Sequence, residues 1–175
     1  MNRTLVLTLI GEDRPGLVEL VSQLIAERQG EWLESQFSRL EGKFAGILRV
    51  SVPEPQCEAL EKSLRALVGQ GLRVMIEEGR QQQPESSYPL YLRFVGLDRR
   101  GVVAEISEVL SQHGVSILSL NSYCAQAPMS SETLFHADFE VQVPVSVSCD
   151  RLSDALENLT PELMVDLESP EAKAV

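Results

Sequence analysis

Two short segments of the sequence place an Asp-Arg pair between two glycines, at residues 11–16 and 96–101. Each segment follows an apolar run rich in β-formers and precedes residues with helical periodicity, which predicts a strand, a tight turn and a helix start. A helix start presents unpaired backbone N–H groups and a partial positive charge, so it suits a carboxylate or a phosphate. These two turns are therefore the first candidates for a ligand site.

The acidic residue of each turn, Asp13 or Asp98, is expected to cap the helix backbone. Three residues later, where a capping box has Glu or Gln, the sequence has Gly16 or Gly101, so neither helix start is covered. The carboxylate of a small ligand could meet the bare N–H groups while its ammonium meets the aspartate. The alternative is that the glycines serve only close packing of helix on sheet and that the turns bind nothing.

Five further residues are less decisive. Arg14 and Arg99 could be solvated, pair with nearby acidic residues, or hold a ligand carboxylate through two hydrogen bonds. Ser35, Ser119 and Asn121 fall on the second predicted strand of each half, where they could hydrogen-bond an amino acid beside the turn or face solvent.

The sequence carries no signature of catalysis or metal binding. It has no nucleophile elbow, phosphate-cradling glycine loop or paired-carboxylate motif, and its 3 cysteines lack metal-ligand spacing. The net charge of −11, from 15 basic and 26 acidic residues, argues against direct nucleic-acid binding. From the absence of these motifs we expect a protein that is not an enzyme and needs no cofactor. The sequence also has neither a signal segment nor a run of about 20 apolar residues, so we expect it in the cytoplasm and not in a membrane.

The surroundings of the two turns are repeated as well. The apolar stripe of the helix after the first turn recurs, at one constant offset, in the helix after the second turn. When one residue is then dropped from the alignment, Gly30 matches Gly114 and Ser35 matches Ser119. Further on, residues 44–53 match residues 135–144. A repeat of this length predicts two homologous domains. Gly30 is predicted to take the left-handed conformation that ends the first helix.

Each half reads as strand, helix, strand, strand, helix, strand. This order predicts an α+β protein of two ferredoxin-like (βαββαβ) domains, each an antiparallel four-stranded sheet with its helices on one face. The polar residues 80–88 are the expected linker between domain 1 (residues 1–79) and domain 2 (residues 89–169), and residues 170–175 are an expected tail.

The pattern Gly-x-Asp-Arg-Pro-Gly at residues 11–16, between an apolar strand and Leu-Val, resembles the signature of ACT domains, and residues 96–103 resemble it a second time. ACT domains are small amino-acid-sensing modules attached to many metabolic enzymes. A chain of two such domains, without an enzyme or DNA-binding domain, resembles the glycine cleavage system transcriptional repressor family of bacteria.

That resemblance implies a regulator that responds to a small amino acid, with glycine expected, and acts through a protein partner, a DNA-binding transcriptional activator. ACT domains typically pair side by side, so the two halves could pair within one chain, and further self-association would give the expected homodimer. In the second turn Arg100 replaces the motif proline, so the second site is expected to differ. Together, the turns and the strand residues give these candidate ligand-binding residues: Asp13, Arg14, Pro15, Gly16, Ser35, Asp98, Arg99, Gly101, Ser119 and Asn121.

Three other functions stay open on the sequence alone. A free-standing ACT pair could sense another amino acid and regulate an enzyme. A small acyl-phosphate hydrolase, which the ferredoxin-like fold also supports, could recruit Arg99 and Asn121. A purely structural interaction module could bind a basic partner through its acidic second helices.

Overall fold

The computed structural model describes residues 1–79, 86–127, 131–159 and 163–168. Two compact units divide the chain, Met1–Gln82 and Gln83–Val175, and they are called domain 1 and domain 2 below. Each has the order strand, helix, strand, strand, helix, strand, so the prediction of two ferredoxin-like domains is confirmed. Most of the predicted linker, residues 80–85, and the predicted tail, residues 170–175, lie outside the described residues.

Domain 1 adds a short 3₁₀ helix after its second α-helix. Its elements are β1 (Asn2–Glu12), α1 (Leu17–Glu27), β2 (Glu31–Leu40), β3 (Lys43–Pro53), α2 (Glu54–Ala66), the 3₁₀ helix (Leu67–Gln70) and β4 (Leu72–Glu78). A turn at Glu41 and Gly42 joins β2 to β3, and both residues have positive φ, of 48° and 74°. Two consecutive positive φ values are typical of the hairpin turn that matches strand twist.

Domain 2 repeats this plan. Its elements are β5 (Ser87–Leu97), α3 (Val102–Gln112), β6 (Ser116–Gln126), β7 (Thr133–Pro144), α4 (Cys149–Glu157) and β8 (Leu163–Glu168). Strand β5 begins within the segment predicted as linker, because Ser87 and Tyr88 pair with Pro144 and Val143. The Tyr88 hydroxyl also donates a hydrogen bond to the Val147 carbonyl at 2.9 Å.

Each sheet is antiparallel and buries one face under its two helices. The strand orders are β2-β3-β1-β4 in sheet 1 and β6-β7-β5-β8 in sheet 2. Alternate residues of the central strands, such as Leu5, Leu7 and Leu9, are at most 1% exposed and pack against Val21 and Ile25 of α1. The residues between them lie on the opposite side of the sheet, which is called the outer face below.

The end of α1 differs from the prediction. Gln29 takes the left-handed conformation, with a φ of 57°, and in domain 2 Gly114 does so with a φ of 67°. Gly30 follows that position and is not the left-handed residue. A Cβ built on Gly30 would lie 2.8 Å from Cγ2 of Ile25, so close packing explains this glycine. Gln29 therefore corresponds to Gly114, and the residue dropped in the sequence alignment was not needed.

This correction changes which residues of β2 and β6 are equivalent. Ser35 pairs with the buried Leu48, so it lies on the helix side of sheet 1. Ser119 pairs with Glu140 after a bulge, on the outer face of sheet 2. Both strands have a bulge at the same place, between Trp32 and Glu34 in β2 and between Ile117 and Ser119 in β6. With Gln29 aligned to Gly114, Ser119 corresponds to Glu34, which pairs with Arg49 on the outer face of sheet 1. Ser35 and Ser119 are therefore not counterparts.

Close approach of two backbone segments explains Gly11. A Cβ on Gly11 would lie 2.5 Å from the carbonyl oxygen of Gly71, which begins the turn into β4. We expect Gly11→Ala to lower the free energy of unfolding of domain 1 by about 1–3 kcal/mol through overpacking. Urea denaturation followed by Trp32 fluorescence measures this. Gly69→Ala is the matched control, because a Cβ there meets no described atom within 4 Å; equal losses in both variants would contradict the explanation.

None of the helices in the described residues is long and apolar enough to cross a membrane.

Candidate functional site: the two strand–helix turns

In domain 1 the helix begins directly after Gly16, which is left-handed. Its φ is 89°, and α1 starts at Leu17. Within the described part of the chain, no side chain caps this start through a hydrogen bond. The expectation that Asp13 caps the helix is therefore wrong. The left-handed glycine turns the chain between the aspartate and the first helical N–H groups.

Asp13 instead ties the turn to the β2–β3 hairpin. Its backbone N–H donates to the Gly42 carbonyl at 2.8 Å, and its carboxylate accepts a hydrogen bond from Nη1 of Arg39 at 3.2 Å. The Asp13 side chain is 28% exposed and the Arg39 side chain 72%. The carboxylate thus already has a cationic partner that water reaches freely, which limits the strength of the pair.

Arg14 is exposed, and its Nη2 donates to the Gln70 carbonyl at 3.0 Å. A guanidinium has five N–H donors, so this bond leaves others for a ligand carboxylate. Pro15 is also exposed and leads into Gly16. Pro15 fixes φ and contributes no N–H group, so the donors available at this turn begin with the helix itself.

Open space surrounds the start of α1. A Cβ on Gly16 would have no described heavy atom within 4 Å. Glu19, the acidic residue of the first helical turn, directs its carboxylate along the helix, where it accepts a hydrogen bond from Gln23 at 3.1 Å. The space beside Gly16 is therefore open to a ligand, and the charged residues Asp13 and Arg14 precede Gly16 by three and two positions in the chain.

The homologous turn of domain 2 has the same backbone and different contacts. Gly101 has a φ of 89° and precedes α3, again with no side-chain cap among the described residues. Arg99 donates two hydrogen bonds to the Glu105 carboxylate, at 2.7 and 2.5 Å. Oxygen Oε1 of Glu105 lies 3.9 Å from where a Cβ on Gly101 would be. The protein's own carboxylate therefore stands beside this helix start.

The pair also affects protonation. The pKa of Glu105 is lowered, mainly by the hydrogen bonds from Arg99. Desolvation has a smaller effect than these bonds and raises the pKa, and the charge of Arg99 lowers it further. Glu105 thus stays ionised and keeps its negative charge at the helix start. In domain 1 the equivalent position is Leu20, which carries no charge.

The partner of the aspartate differs as well. With Gln29 equivalent to Gly114, Arg39 on β2 corresponds to Cys124 on β6. In domain 2, the exposed Asp98 is instead close enough to the Cys124 thiol to affect its protonation. The start of α3 has no side-chain cap among the described residues, so Asp98 does not cap its helix either. Arg39, Cys124 and Glu105 were not singled out from the sequence. The Arg39–Cys124 equivalence depends on the correct alignment, and Glu105 could have been noted as an acidic residue in the first turn of α3.

Ser119 and Asn121 lie away from the α3 start. Both lie on the outer face of sheet 2, where they line a cavity of about 180 Å³ together with Tyr91, Arg93 and Glu140. The prediction that they stand beside the turn is wrong, because they pair with Glu140 and Asp138 on the face of the sheet opposite the helices. Arg99 and Asn121 are therefore not brought together, which removes the arrangement that an acyl-phosphate hydrolase would need.

Ser35 does lie on the helix side of sheet 1. It is exposed, and its Oγ accepts a hydrogen bond from the Trp32 indole N–H at 3.1 Å. Elsewhere, the described residues contain no group of three or more side chains that could hold a metal ion.

The contact between Asp98 and Cys124 makes a measurable prediction. Desolvation, followed by the charge and hydrogen bonding of Asp98, raises the pKa of Cys124, so less of the reactive thiolate is present at a given pH. We expect Asp98→Asn to lower this pKa and to speed alkylation of Cys124 near pH 8, because the contribution of the Asp98 charge is lost and more thiolate is then present. Peptide mass spectrometry measures the rate.

Cys149 is the internal control, because it is exposed on α4. An increase of the same size at both thiols would contradict a local effect of Asp98.

Family models match both halves of the chain. An ACT-domain model matches residues 3–77, and a second ACT-domain model matches residues 84–161. The chain belongs to the ACT-domain family. It is a tandem ACT protein, and each matched range contains one of the two turns described above.

Two solved structures resemble the tandem ACT protein over nearly its whole length. An unknown protein from Galdieria sulphuraria has a TM-score of 0.85 and 24% sequence identity, over 96% of this chain and 98% of that chain. A protein described as a "putative glycine cleavage system transcriptional repressor" has a TM-score of 0.72 and 18% identity, over 97% and 99%. At these identities the likeness establishes the fold. No curated protein sequence matches the tandem ACT protein.

Proposed function

We propose that this tandem ACT protein is an amino-acid-responsive regulator whose ligand binds at the start of α1 in domain 1. The observation that carries the proposal is the open helix start at Gly16, where a Cβ would have no described heavy atom within 4 Å. Membership of a family of amino-acid-sensing modules supports the same conclusion. The protein acts as a regulator, not as an enzyme.

The chemistry of this turn fits a zwitterion. The ligand carboxylate accepts hydrogen bonds from the first N–H groups of α1 and from Arg14, while the ammonium approaches Asp13. The helix dipole contributes about 0.3–1 kcal/mol and each charged hydrogen bond about 1.5–3 kcal/mol. Millimolar affinity requires only about 4 kcal/mol of net binding, so these contributions suffice for a metabolite sensor.

Binding at this turn would alter a contact that reaches the edge of sheet 1. The ligand ammonium competes with Arg39 for the carboxylate of Asp13, now 3.2 Å from Nη1. Release of Arg39 frees a charged side chain on β2, the strand at one edge of the sheet. In this proposal, that local change biases a surface read by a partner, with a coupling of about 1–3 kcal/mol.

The turn of domain 2 is less suited to an anion. Arg99 is held by Glu105, and the carboxylate of Glu105 repels a second one near Gly101. We therefore propose that Asp98, Arg99 and Gly101 stabilise the turn of domain 2 and do not bind a ligand. The same turn has Arg100 in place of the motif proline. Ser119 and Asn121 drop out of this site, and Ser35 stays a candidate only through its position on the helix side of β2.

We further propose glycine as the ligand and a DNA-binding transcriptional activator as the partner, so that the protein acts as a glycine cleavage system repressor. The net charge of −11 supports action through a protein and not by direct contact with DNA. The full-length likeness to a structure described as such a repressor supports the same assignment. The proposal includes a cytoplasmic location and a homodimer. Sensing of a different amino acid to regulate an enzyme is the alternative.

Thermal-shift titration with the twenty amino acids tests the proposal. A ligand that binds only the folded state raises the unfolding midpoint, by an amount equivalent to about 2.7 kcal/mol at one hundred times its Kd. Glycine is expected to give the largest shift. A larger shift with another amino acid would replace glycine and favour the alternative, and no shift with any amino acid at tens of millimolar would refute sensing.

A further inference from the structure

The outer face of sheet 1 is apolar at its centre. Because Leu5, Leu7 and Leu9 face the helices, Val6, Thr8 and Ile10 of β1 face outward. Ile47 pairs with Thr8 from one side and Met75 from the other. Ile10 is 50% exposed, Ile47 47% and Met75 60%. We call this surface, formed by Val6, Thr8, Ile10, Ile47 and Met75, the apolar face of domain 1.

Charges of opposite sign stand at the two ends of the apolar face. On β4, Arg73 pairs with Ile10 at one end and Glu77 with Val6 at the other, on either side of Met75. Both are exposed, and within the described ranges neither has an ion-pair partner. A contiguous apolar patch bordered by charged residues is typical of a protein–protein interface.

We infer that the apolar face of domain 1 binds the same face of a second copy of the chain. The contact is isologous, with its two-fold axis in the interface, perpendicular to the strands and level with Thr8, Ile47 and Met75. This inference rests on one part of the proposed function, the homodimer, and names the surface that forms it. It does not depend on the proposed ligand.

This axis makes the two surfaces complementary. It places Arg73 against the partner's Glu77, and the partner's Arg73 against Glu77. Ile10 meets the partner's Val6, while Ile47 and Met75 meet their own copies. Of the other charged residues on the outer face, Glu34 and Arg49 already pair within one chain at 3.1 Å, and Glu12 and Lys43 pair with each other at the end of the sheet. Glu34 and Arg49 lie against the partner's Ser38 and the partner's Ala45.

The other possible axis fails on charge. With a two-fold axis parallel to the strands, each end of the apolar face meets the same end of the partner's face. The edge strand β2 then lies against the partner's edge strand β4. This axis would place Glu34 against the partner's Glu77, and like charges across an interface cost affinity. Charge complementarity therefore selects the axis perpendicular to the strands.

Domain 2 provides an internal comparison. At the positions of Ile47 and Met75, its outer face has Asp138 and Asp166, on either side of Arg93. The same axis would bring Asp138 against its own copy. The outer face of sheet 2 is thus unsuited to self-association, and only domain 1 has an outer face that can pair in this way.

The size of the surface sets the expected strength. Stacked sheets pack about 10 Å apart with strands near 30° to each other, and a sheet of four strands at about 4.8 Å spacing is roughly 19 Å wide. Such a contact falls at the low end of specific interfaces, which bury about 800 Å² per partner at standard size. We therefore expect a reversible dimer whose population rises with protein concentration.

Analytical ultracentrifugation of the full chain between about 1 and 200 μM tests the inference. We expect Met75→Glu to weaken dimerisation at least tenfold, because it places two carboxylates face to face at the axis. Met164→Glu is the matched control. Met164 is 77% exposed on the outer face of sheet 2, and the substitution adds the same side chain and the same charge.

Charge exchange tests the orientation. Arg73→Glu and Glu77→Arg should each weaken the dimer, and the double variant should restore it, because each new charge then meets its opposite across the axis. Both residues are exposed, so folding is unaffected, and thermal unfolding checks this. If Met75→Glu impairs folding, the charge variants alone decide.

Four results would overturn the inference: a monomer throughout this concentration range, a dimer insensitive to Met75→Glu in a folded chain, equal weakening by Met164→Glu, or no recovery in the double charge variant.

Amino-acid thermal shifts of the same variants distinguish failure of this inference from failure of the proposed function. A monomeric Met75→Glu chain should still respond to the ligand, and a loss of sensing in all chains, with the dimer intact, would refute only the proposed function.

Discussion

A Gly16→Glu chain is expected to bind its amino acid at least tenfold more weakly than the unchanged chain. The new carboxylate occupies the open space at the start of α1 and repels the ligand carboxylate, so charged hydrogen bonds of about 1.5–3 kcal/mol each are lost. Isothermal titration calorimetry with the amino acid that gives the largest thermal shift measures the Kd.

Gly101→Glu is the matched control for this variant. Gly16 and Gly101 share a φ of 89°, so both substitutions force the same strained backbone and add the same charge. Since the start of α3 already has the carboxylate of Glu105 beside it, we expect Gly101→Glu to keep the ligand response. Equal losses in both variants would show that strain, and not occupation of the site, is responsible. Loss only in Gly101→Glu would move the ligand site to domain 2.

Replacing Phe94 with alanine is expected to lower the free energy of unfolding of domain 2 by about 3–5 kcal/mol. Phe94 on β5 is 0% exposed, and its ring contacts Phe139 edge-on with centroids 5.3 Å apart. The loss combines removal of buried apolar surface with the cavity that remains. Chemical denaturation, with hydrogen exchange of the β5 amides as the local probe, measures it.

Tyr123→Ala provides the comparison for Phe94→Ala. Tyr123 is also aromatic and lies on a strand of the same sheet, yet it is 59% exposed, and its ring stacks on His136. We expect it to change stability by about 0.5 kcal/mol or less, as surface substitutions usually do. A comparable loss from both substitutions would mean that the Phe94 effect does not come from burial in the core.

The fold was predictable because the local pattern and the repeat agreed. Leu5, Leu7 and Leu9 alternate with outward residues, as a strand covered on one face requires, and the stripe of Leu17, Val21 and Ile25 has the period of a helix packed on that strand. The same two patterns recur after the linker, so each half supported the interpretation of the other. Tertiary packing did not have to override any of these preferences.

The exact alignment of the two halves was not predictable, because two different causes gave similar glycines. Gly30 is required by the nearby side chain of Ile25, and Gly114 by its left-handed backbone. Only coordinates distinguish these causes. Gln29 is a residue type that rarely takes positive φ, so the sequence offered no reason to place the helix end there.

The candidate site was predictable in its backbone and less so in its side chains. The turns at Gly16 and Gly101 stand where the sequence placed them, at uncapped helix starts. The contacts of Asp13 and Asp98 depend on which side of β2 and β6 faces the helices. A bulge decides that, and it has no sequence signature here. The approach of Glu105 to Arg99 depends on the geometry of the turn.

The acidic outer face of sheet 2 also bears on how far assembly can proceed. Gene duplication produces a chain with two similar sheets. If both sheets could self-associate, each chain could bind two others, and copies could add without limit. Asp138 and Asp166 stand where domain 1 has Ile47 and Met75, so in the proposed dimer only the sheet of domain 1 associates. Assembly by that contact would end at two chains, and these carboxylates would thereby protect a duplicated protein from forming fibres.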